Sequence, residues 1–204
     1  MQLYIAKGTI SIAAALVLEE AGLAYDAIVL DFATAAQTKP DYMAVNPKGR
    51  VPALTVPDGI LTETGAILEY IATLAPAAGL APADALNAAR MREVMYYIAS
   101  TMHVNHAHKL RGTRWADLPE SHADMRAKVA QTMAASCTYL EENVAFSPFV
   151  LGPHISLADA YLYVACTWLE GDNVDIAAYP RLAAHFAAMG ARPSVKKLRA
   201  NDWI

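Results

Sequence analysis

The residues whose types and spacing most suggest chemistry lie between Asn46 and Thr64. Pro52 stands where a strand begins, and a proline there either blocks a ladder hydrogen bond or, if the Val51–Pro52 bond is cis, turns the backbone of Val51 outward. Glu63 and Thr64 open a predicted helix, whose unpaired N–H groups and positive dipole end attract a carboxylate. Backbone pairing beside an anion-binding helix end is suited to a small anionic peptide.

A second polar cluster contains three histidines, His103, His106 and His108. On a helix His103 and His106 share a face, whereas His108 does not. A metal site would need a third ligand in matching geometry, and the chain has no His-Glu-x-x-His pattern. The sequence therefore predicts no metal at this cluster.

The spacing of the apolar residues divides the chain into two parts, which supply the elements that position these residues. Up to about Leu74, short apolar strands and helices follow the order β-α-β and then β-β-α, which is typical of a thioredoxin-like α/β layer. We predict this first domain over residues 1–75 and an all-α domain over residues 83–204, joined by a linker with two prolines and a glycine. The predicted strands are 2–6, 26–30, 53–56 and 60–62, and the predicted helices include 12–21, 64–74, 84–109 and one that ends near 143.

Two capping boxes are predicted in the helical domain. Ser121 and Asp124 have the capping spacing, with Asp in place of the usual Glu, and Ser156 and Asp159 repeat it before an almost wholly apolar helix. A helix that is apolar all round is expected at the centre of its domain. Asp159 is therefore interpreted as a helix cap rather than as a catalytic carboxylate.

Composition excludes several classes of protein. The formal charge is −4 and no basic stripe is present, which argues against a nucleic-acid surface. No apolar run reaches the roughly 18 residues of a membrane span, and the first residues lack a secretory signal, so a cytosolic protein is expected. Cys137 and Cys166 have neither disulfide-motif nor zinc spacing, and we predict two buried, reduced thiols.

Four segments resemble the glutathione transferase family, in the order and spacing of its bacterial, beta-like members. They extend over essentially the whole chain, which has 204 residues. The segments are Met1 to Tyr4, Leu18 to Gly22, Asn46 to Leu54 and Ser156 to Leu162. The resemblance implies that Val51 and Pro52 pair with the cysteinyl part of glutathione and that Glu63 and Thr64 hold its γ-glutamyl end.

The chain departs from these relatives at Arg50, where a glutamine commonly precedes the Val-Pro pair. A guanidinium at this position can bind the glycyl carboxylate through charge-assisted bonds. The alternative is that Arg50 is a solvated surface charge.

The resemblance also places the glutathione sulfur beside the loop between the first strand and the first helix. A thiol with a pKa near 8.5 is mostly protonated at pH 7, and a hydroxyl donor and a helix N-terminus together favour its thiolate. Ser11 is the first candidate and Thr9 the second, whereas the alternative for Ser11 is a simple helix N-cap. Family members typically carry a cysteine where this chain has Ile10, so mixed-disulfide chemistry at that position is not expected.

A tyrosine common in the family is absent, because Ile5 occupies its position. Tyr4 is expected to point to the opposite face of the strand, so no catalytic tyrosine is assigned to it.

His103 aligns with a family histidine that lines the cleft between the domains and helps to bind or orient the thiol. The lysine expected after it is Val104, and His106 is a neighbouring candidate for glutathione binding. The alternative is a hydrogen-bonded histidine between the domains. An acceptor pocket could be formed by the aromatic residues Tyr96, Tyr97, Trp115 and Trp168, although aromatics at helical spacing more often belong to a core.

The sequence as a whole predicts a homodimeric glutathione transferase. Glutathione would be the co-substrate, without a metal, and a small hydrophobic electrophile would enter from the second domain. The same thiolate could instead serve a glutathione-dependent peroxidase or isomerase. A non-catalytic glutathione-binding or scaffold protein is the alternative outside the enzymes.

Overall fold

The computed structural model describes all 204 residues, and its first layer is a four-stranded sheet. The strands are β1 (Gln2–Ile5), β2 (Asp26–Val29), β3 (Ala53–Val56) and β4 (Gly59–Thr62). Their order in the sheet is β2-β1-β3-β4, with β1 parallel to β2 and the other pairs antiparallel. A parallel pair needs a crossover, whereas the short turn at Pro57 and Asp58 is enough to join β3 to β4.

Three helices complete the first domain: α1 (Ile12–Glu20), α2 (Pro40–Val45) and α3 (Thr64–Leu74). The crossover helix α1 is apolar on every side, and its residues from Ile12 to Leu18 are all buried. It packs against α3 of the same domain on one side and against the helix Leu157–Cys166 of the second domain on the other. The chain leaves α1 through Gly22, whose φ of 65° is one that glycine adopts readily.

The second domain is helical throughout. Its helices are α4 (Ala85–Tyr97), α5 (His103–Ala107), α6 (Pro119–Asn143), α7 (Leu157–Cys166), α8 (Pro180–Gly190) and α9 (Pro193–Ala200). A π-helical turn, Ile98–Met102, joins α4 to α5. The helix predicted over 84–109 is therefore present as two α-helices joined without a break by this wider turn. The predicted fold class, a thioredoxin-like α/β domain followed by an all-α domain, is confirmed.

The centre of the helical domain is α7, every residue of which is buried. Asp159 forms the predicted capping box, since its Oδ2 accepts the N–H of Ser156 over 2.7 Å. Its Oδ1 accepts the N–H of Val150 over 2.7 Å and lies 3.0 Å from Nε2 of His185. The carboxylate is fully buried and does not line the interdomain cavity, so its role is to join the start of α7 to the neighbouring loop and to α8.

The other predicted capping box was wrong. Helix α6 begins at Pro119 with Leu118 at the N-cap, so Ser121 lies inside the first turn. Proline is favoured at the first helical position, because it has no N–H to leave unpaired and its φ is already helical. This signal at Pro119 determined the start of the helix in place of the Ser121 hydroxyl.

Cys137 and Cys166 are both free and buried, as predicted. Burial raises the pKa of the Cys137 thiol to about 12 and raises that of Cys166 as well, so both are packing residues rather than nucleophiles. None of the helices combines the length and the hydrophobicity needed to cross a lipid bilayer.

Candidate active site

A cavity of about 930 Å³ lies between the two domains. Its first wall comprises the β1–α1 loop, the loop before β3 and the start of α3. Its second wall comprises α4, the π-helical turn, α5, the segment after α5, and Trp168 after α7. Eight of the nine predicted site residues line this cavity, and Ser11 does not. The eight are Thr9, Arg50, Val51, Pro52, Glu63, Thr64, His103 and His106.

Two side chains fix the backbone of the loop before β3 by hydrogen bonds. The hydroxyl of Tyr42 and the amide Nδ2 of Asn46 each donate to the carbonyl oxygen of Arg50 over 2.6 Å. The Val51–Pro52 bond is cis. The backbone N–H and C=O of Val51 take part in no hydrogen bond within the chain, and Val51 lines the cavity. The cavity wall therefore offers one free donor and one free acceptor for an extended peptide.

The start of α3 forms the next part of the wall. Glu63 has a φ of 71°, and its carboxylate is paired with Lys48, which also donates to Oγ1 of Thr62 over 2.7 Å. No side chain caps the helix, and the N–H groups of its first residues, Thr64 to Ala66, have no partner in the chain. Unpaired N–H groups at a helix N-terminus attract an anion.

The β1–α1 loop separates the two candidate hydroxyls. Ser11 is fully buried, and its Oγ accepts the N–H of Ala6 over 3.0 Å, so it acts neither as a side-chain helix cap nor as part of the cavity wall. Thr9 is only half-buried and lines the cavity. Its hydroxyl donates to the carbonyl oxygen of Ala6 over 2.8 Å and lies 2.6 Å from Oγ of Ser11. Ser11 therefore stands behind Thr9. The backbone N–H of Ile10, also at the cavity, has no partner.

The second wall is organised around Trp168. Its indole Nε1 donates to the carbonyl oxygen of Gly8 over 2.9 Å, which connects the helical domain to the β1–α1 loop. The ring of His106 stacks on the indole with centroids 4.2 Å apart, and the ring of His103 lies 5.1 Å away. Nδ1 of His106 is 2.6 Å from the buried carboxylate of Asp172. The two histidines thus share a wall, but only His106 is held by a carboxylate.

His103 has a strongly altered acidity. Burial, followed by the nearby positive charges, lowers its pKa to about 4. The imidazole is therefore neutral at pH 7 and can donate or accept one hydrogen bond without carrying charge.

Two arginines on the second wall were missed by the sequence analysis. Arg111 and Arg114 follow α5 and line the cavity, with the guanidinium carbon of Arg111 lying 5.7 Å from the centroid of the Phe32 ring. The available signal was the close spacing of basic residues directly after the histidine cluster. The predicted helix ended at residue 109, and no role was assigned to the two arginines beyond it.

Three of the four aromatic candidates for an acceptor pocket line the cavity, namely Tyr96, Trp115 and Trp168. The fourth, Tyr97, does not line the cavity. Its ring packs on that of Tyr139 with centroids 4.3 Å apart. No group of three or more histidine, cysteine or carboxylate side chains is arranged to hold a metal ion.

Comparison with known protein families assigns the chain. The model of the glutathione S-transferase N-terminal domain matches residues 1–73, and that of the C-terminal domain matches residues 115–188. The chain belongs to the glutathione S-transferase family. This confirms the resemblance noted in the sequence and makes the chain a member of a transferase enzyme family.

Glutathione S-transferases from bacteria are similar to the chain over nearly its whole length. A glutathione transferase homologue from Sulfitobacter, solved with bound glutathione, is 54% identical with a TM-score of 0.98, over 100% of this chain and 98% of that one. The glutathione S-transferase GstA of Escherichia coli O157:H7 is 29% identical over 96% of both chains. A maleylacetoacetate isomerase of Pseudomonas aeruginosa is 30% identical over 76% of this chain and 77% of its own.

Proposed function

We propose that this glutathione S-transferase binds glutathione in the interdomain cavity and conjugates its thiolate to a second, electrophilic molecule. The observation that carries the proposal is the first wall, where a free backbone donor and acceptor at Val51 adjoin the unpaired N–H groups at the start of α3. An extended peptide with a terminal carboxylate satisfies both features together. The similarity to a protein solved with bound glutathione supports the same ligand.

The three parts of glutathione can be assigned to three parts of this wall. The cysteinyl backbone would pair with Val51 beside Pro52, and the γ-glutamyl carboxylate would bind at Thr64. The ammonium group would share the Glu63 carboxylate with Lys48. Arg50 is exposed and has no carboxylate partner, so it is free to bind the glycyl carboxylate.

The sulfur would then lie against the β1–α1 loop. We assign its activation to the Thr9 hydroxyl and the N–H of Ile10, both of which are at the cavity. Ser11 becomes a positioning residue: it can donate its proton to Oγ1 of Thr9, which is 2.6 Å away. The Thr9 hydroxyl, which donates to the carbonyl oxygen of Ala6 in the free protein, would then turn its proton to the sulfur when glutathione binds. Stabilising a thiolate by about two pKa units requires roughly 2.7 kcal/mol, which two such donors beside a helix N-terminus can supply.

The reaction balances without a further reagent. The thiol proton is lost to water, the thiolate electron pair forms the new C–S bond, and the leaving group departs with the electron pair of its bond to carbon. His103, neutral at pH 7 because burial lowers its pKa to about 4, can orient the sulfur by a hydrogen bond. His106 is fixed by Asp172 and supports the Trp168 ring against which the substrates would lie.

A glutathione-dependent isomerisation is the second candidate, favoured by the similarity to a maleylacetoacetate isomerase. The same thiolate would add to a conjugated double bond, allow rotation and leave again. Conjugation consumes glutathione, whereas isomerisation regenerates it, so the amount of free thiol remaining after turnover distinguishes the two reactions.

The decisive experiment measures the acidity of bound glutathione. Wild-type protein should show thiolate ultraviolet absorbance at neutral pH and turn over a chloronitrobenzene. We expect Thr9→Ala to raise the pKa of the bound thiol by about one unit and to lower turnover at pH 7 about tenfold, with partial recovery at higher pH. Thr9→Ser keeps the hydroxyl and should retain most of the activity.

The Ser11→Ala variant separates positioning from direct donation. It should lose stability through the unpaired N–H of Ala6, and its thiol pKa should rise less than in Thr9→Ala. A larger rise in Ser11→Ala would return the catalytic role to Ser11. Bound glutathione without thiolate absorbance or turnover would favour a scaffold protein.

The prediction of a homodimer is retained as a proposal. Its support is a set of exposed large apolar side chains on β4, α3 and α4, namely Ile60, Leu74 and Leu86. Light scattering should give twice the chain mass, and Leu86→Asp should reduce it if Leu86 lies at the interface. A cytosolic location likewise remains a proposal, which cell fractionation tests.

A further inference from the structure

The cavity carries more positive charge than glutathione can use. Five cationic side chains and two carboxylates line it: Lys48, Arg50, Lys109, Arg111, Arg114, Glu63 and Glu69. Lys48 is paired with Glu63, and Lys109 is paired with Asp172, which lies behind the wall. The charge of Glu69 is already matched, because Arg92 binds both of its carboxylate oxygens at 2.9 Å.

Three arginines are left without a carboxylate. None of the ten ion pairs in the chain includes Arg50, Arg111 or Arg114. Glutathione has two carboxylates and one ammonium group, and the proposed binding mode places one carboxylate at the start of α3 and the other at Arg50. Arg111 and Arg114 therefore face the cavity with nothing to neutralise them.

The lowered pKa values of Arg111 and Arg114 reflect first their partial burial and then the neighbouring positive charges. Partial burial, followed by the charge of Arg50, lowers the pKa of Arg111. Burial, followed by the charges of Arg111 and Arg50, lowers the pKa of Arg114 to about 10. Arg111 and Arg114 both stay protonated at pH 7, so their lowered pKa values describe two cations held close together and partly out of water. A bound anion would relieve this cost, which a fully solvated surface arginine does not incur.

Apolar surface lies next to the two arginines. The Phe32 ring is 5.7 Å from the guanidinium carbon of Arg111, and Trp115 is nearly half exposed on the same cavity wall. A guanidinium pair beside aromatic faces is suited to a flat ligand with a charged end.

We propose that the second substrate is an organic acid, whose carboxylate is bound by Arg111 and Arg114 and whose unsaturated or aromatic body packs against Trp115 and Phe32. The inference rests on the proposed function, since it assigns the acceptor for the bound glutathione. It replaces the uncharged hydrophobic electrophile expected from the sequence with an anionic one.

The test compares an acid with its uncharged amide, first by binding and then by turnover. Unreactive methylnitrobenzoate and methylnitrobenzamide are titrated calorimetrically into wild-type protein, with and without glutathione. We expect the acid to bind about tenfold more tightly or better, and the acid-to-amide ratio to fall about fivefold or more in Arg111→Gln and in Arg114→Gln. Arg90→Gln, at an exposed arginine paired with Glu93 outside the cavity, should leave the ratio unchanged.

Turnover uses chloronitrobenzoate and chloronitrobenzamide, with each kcat/KM divided by the rate constant of the uncatalysed reaction with glutathione. We expect the acid to be preferred over the amide, and this preference to be lost in Arg111→Gln and in Arg114→Gln. Arg114 is the more exposed of the two arginines, so its variant should fold even if the half-buried Arg111 does not tolerate substitution. Melting temperatures check both variants.

The outcomes separate this inference from the proposed function. Equal affinity for acid and amide, or a preference unaffected by both substitutions, overturns the inference whatever the turnover. A preference that disappears only in Arg50→Gln also overturns it, because the acid would then occupy the glycyl end of the glutathione site. A preference that depends on Arg111 and Arg114, but without conjugation of either chloride, supports the anion site and overturns the conjugating function.

Discussion

The indole N–H of Trp168 in the helical domain donates to the carbonyl oxygen of Gly8 in the first domain, over 2.9 Å. Gly8 immediately precedes the cavity-facing Thr9, and its own N–H donates to the carbonyl oxygen of Trp203 over 2.9 Å. The loop proposed to hold the sulfur is thus bonded on both sides to residues of the carboxy-terminal half. The position of this loop depends on the packing of the two domains against each other.

Trp168→Phe should loosen this loop while retaining most of the aromatic packing. We expect a loss of about 1 kcal/mol in the free energy of unfolding and a several-fold fall in glutathione affinity. Trp203→Phe is the matched control, because the bond from Gly8 reaches its backbone rather than its indole. Calorimetry and thermal unfolding measure both effects, and equal affinities in the two variants would show that the indole bond does not support the site.

Thr64→Ala should weaken glutathione binding by about 1 to 2 kcal/mol, since Thr64 is buried at the open start of α3. Thr73→Ala, at an exposed position near the end of the same helix, should leave the affinity unchanged. Calorimetric titration with glutathione is the measurement. An unchanged affinity in Thr64→Ala would remove this residue from the proposed binding site.

Asp159→Ala should destabilise the protein by about 3 kcal/mol or more, because the buried carboxylate binds Val150, Ser156 and His185 at once. Asp175→Ala removes an exposed cap that accepts a single N–H, from Ala177, and should cost only about 1 kcal/mol. Denaturant unfolding gives both values. Activity per folded molecule should not change, and a large fall in turnover at unaltered stability would contradict the capping role.

Acid should destabilise the protein partly through His103. Burial lowers its pKa to about 4 in the folded state, whereas an unfolded histidine titrates near 6.5, so the unfolded chain binds more protons between these values. Stability from this residue is present above about pH 6.5 and is lost as the pH falls towards 4, by up to about 3 kcal/mol.

His103→Gln should remove that part of the pH dependence. Melting temperatures recorded between pH 7 and pH 4.5 should fall more steeply for the wild type than for the variant. Parallel curves would mean that His103 is more solvated than the structure indicates.

The local part of the site could be predicted from the sequence. Pro52, Glu63 and Thr64 are specified by turn and helix-start chemistry over a few residues, so their position at the cavity could be predicted. Ser11 was not, because its burial depends on the bond to the N–H of Ala6, which only the folded loop reveals. A serine next to a helix start has the same sequence signal whether it faces a cavity or the core.

The second wall depends on contacts between distant residues, which a single sequence does not encode in its spacing. His106 meets Asp172 across 66 residues, and Arg111 reaches Phe32 of the first domain. Each residue type was visible in the chain, but their proximity arises from the docking of two domains. The cationic character of the cavity could therefore be recognised only after every carboxylate in it had been assigned a partner.

The π-helical turn at Ile98–Met102 sets the rotation of α5 about the helix axis relative to α4. A turn of this kind holds one residue more than an α-helical turn, so it rotates all that follows by about 100° relative to an unbroken helix. Deleting one residue there would leave α4 in its core contacts, yet it would swing His103 and His106 off the cavity wall. The number of residues in this turn therefore sets which side chains of α5 face the cavity.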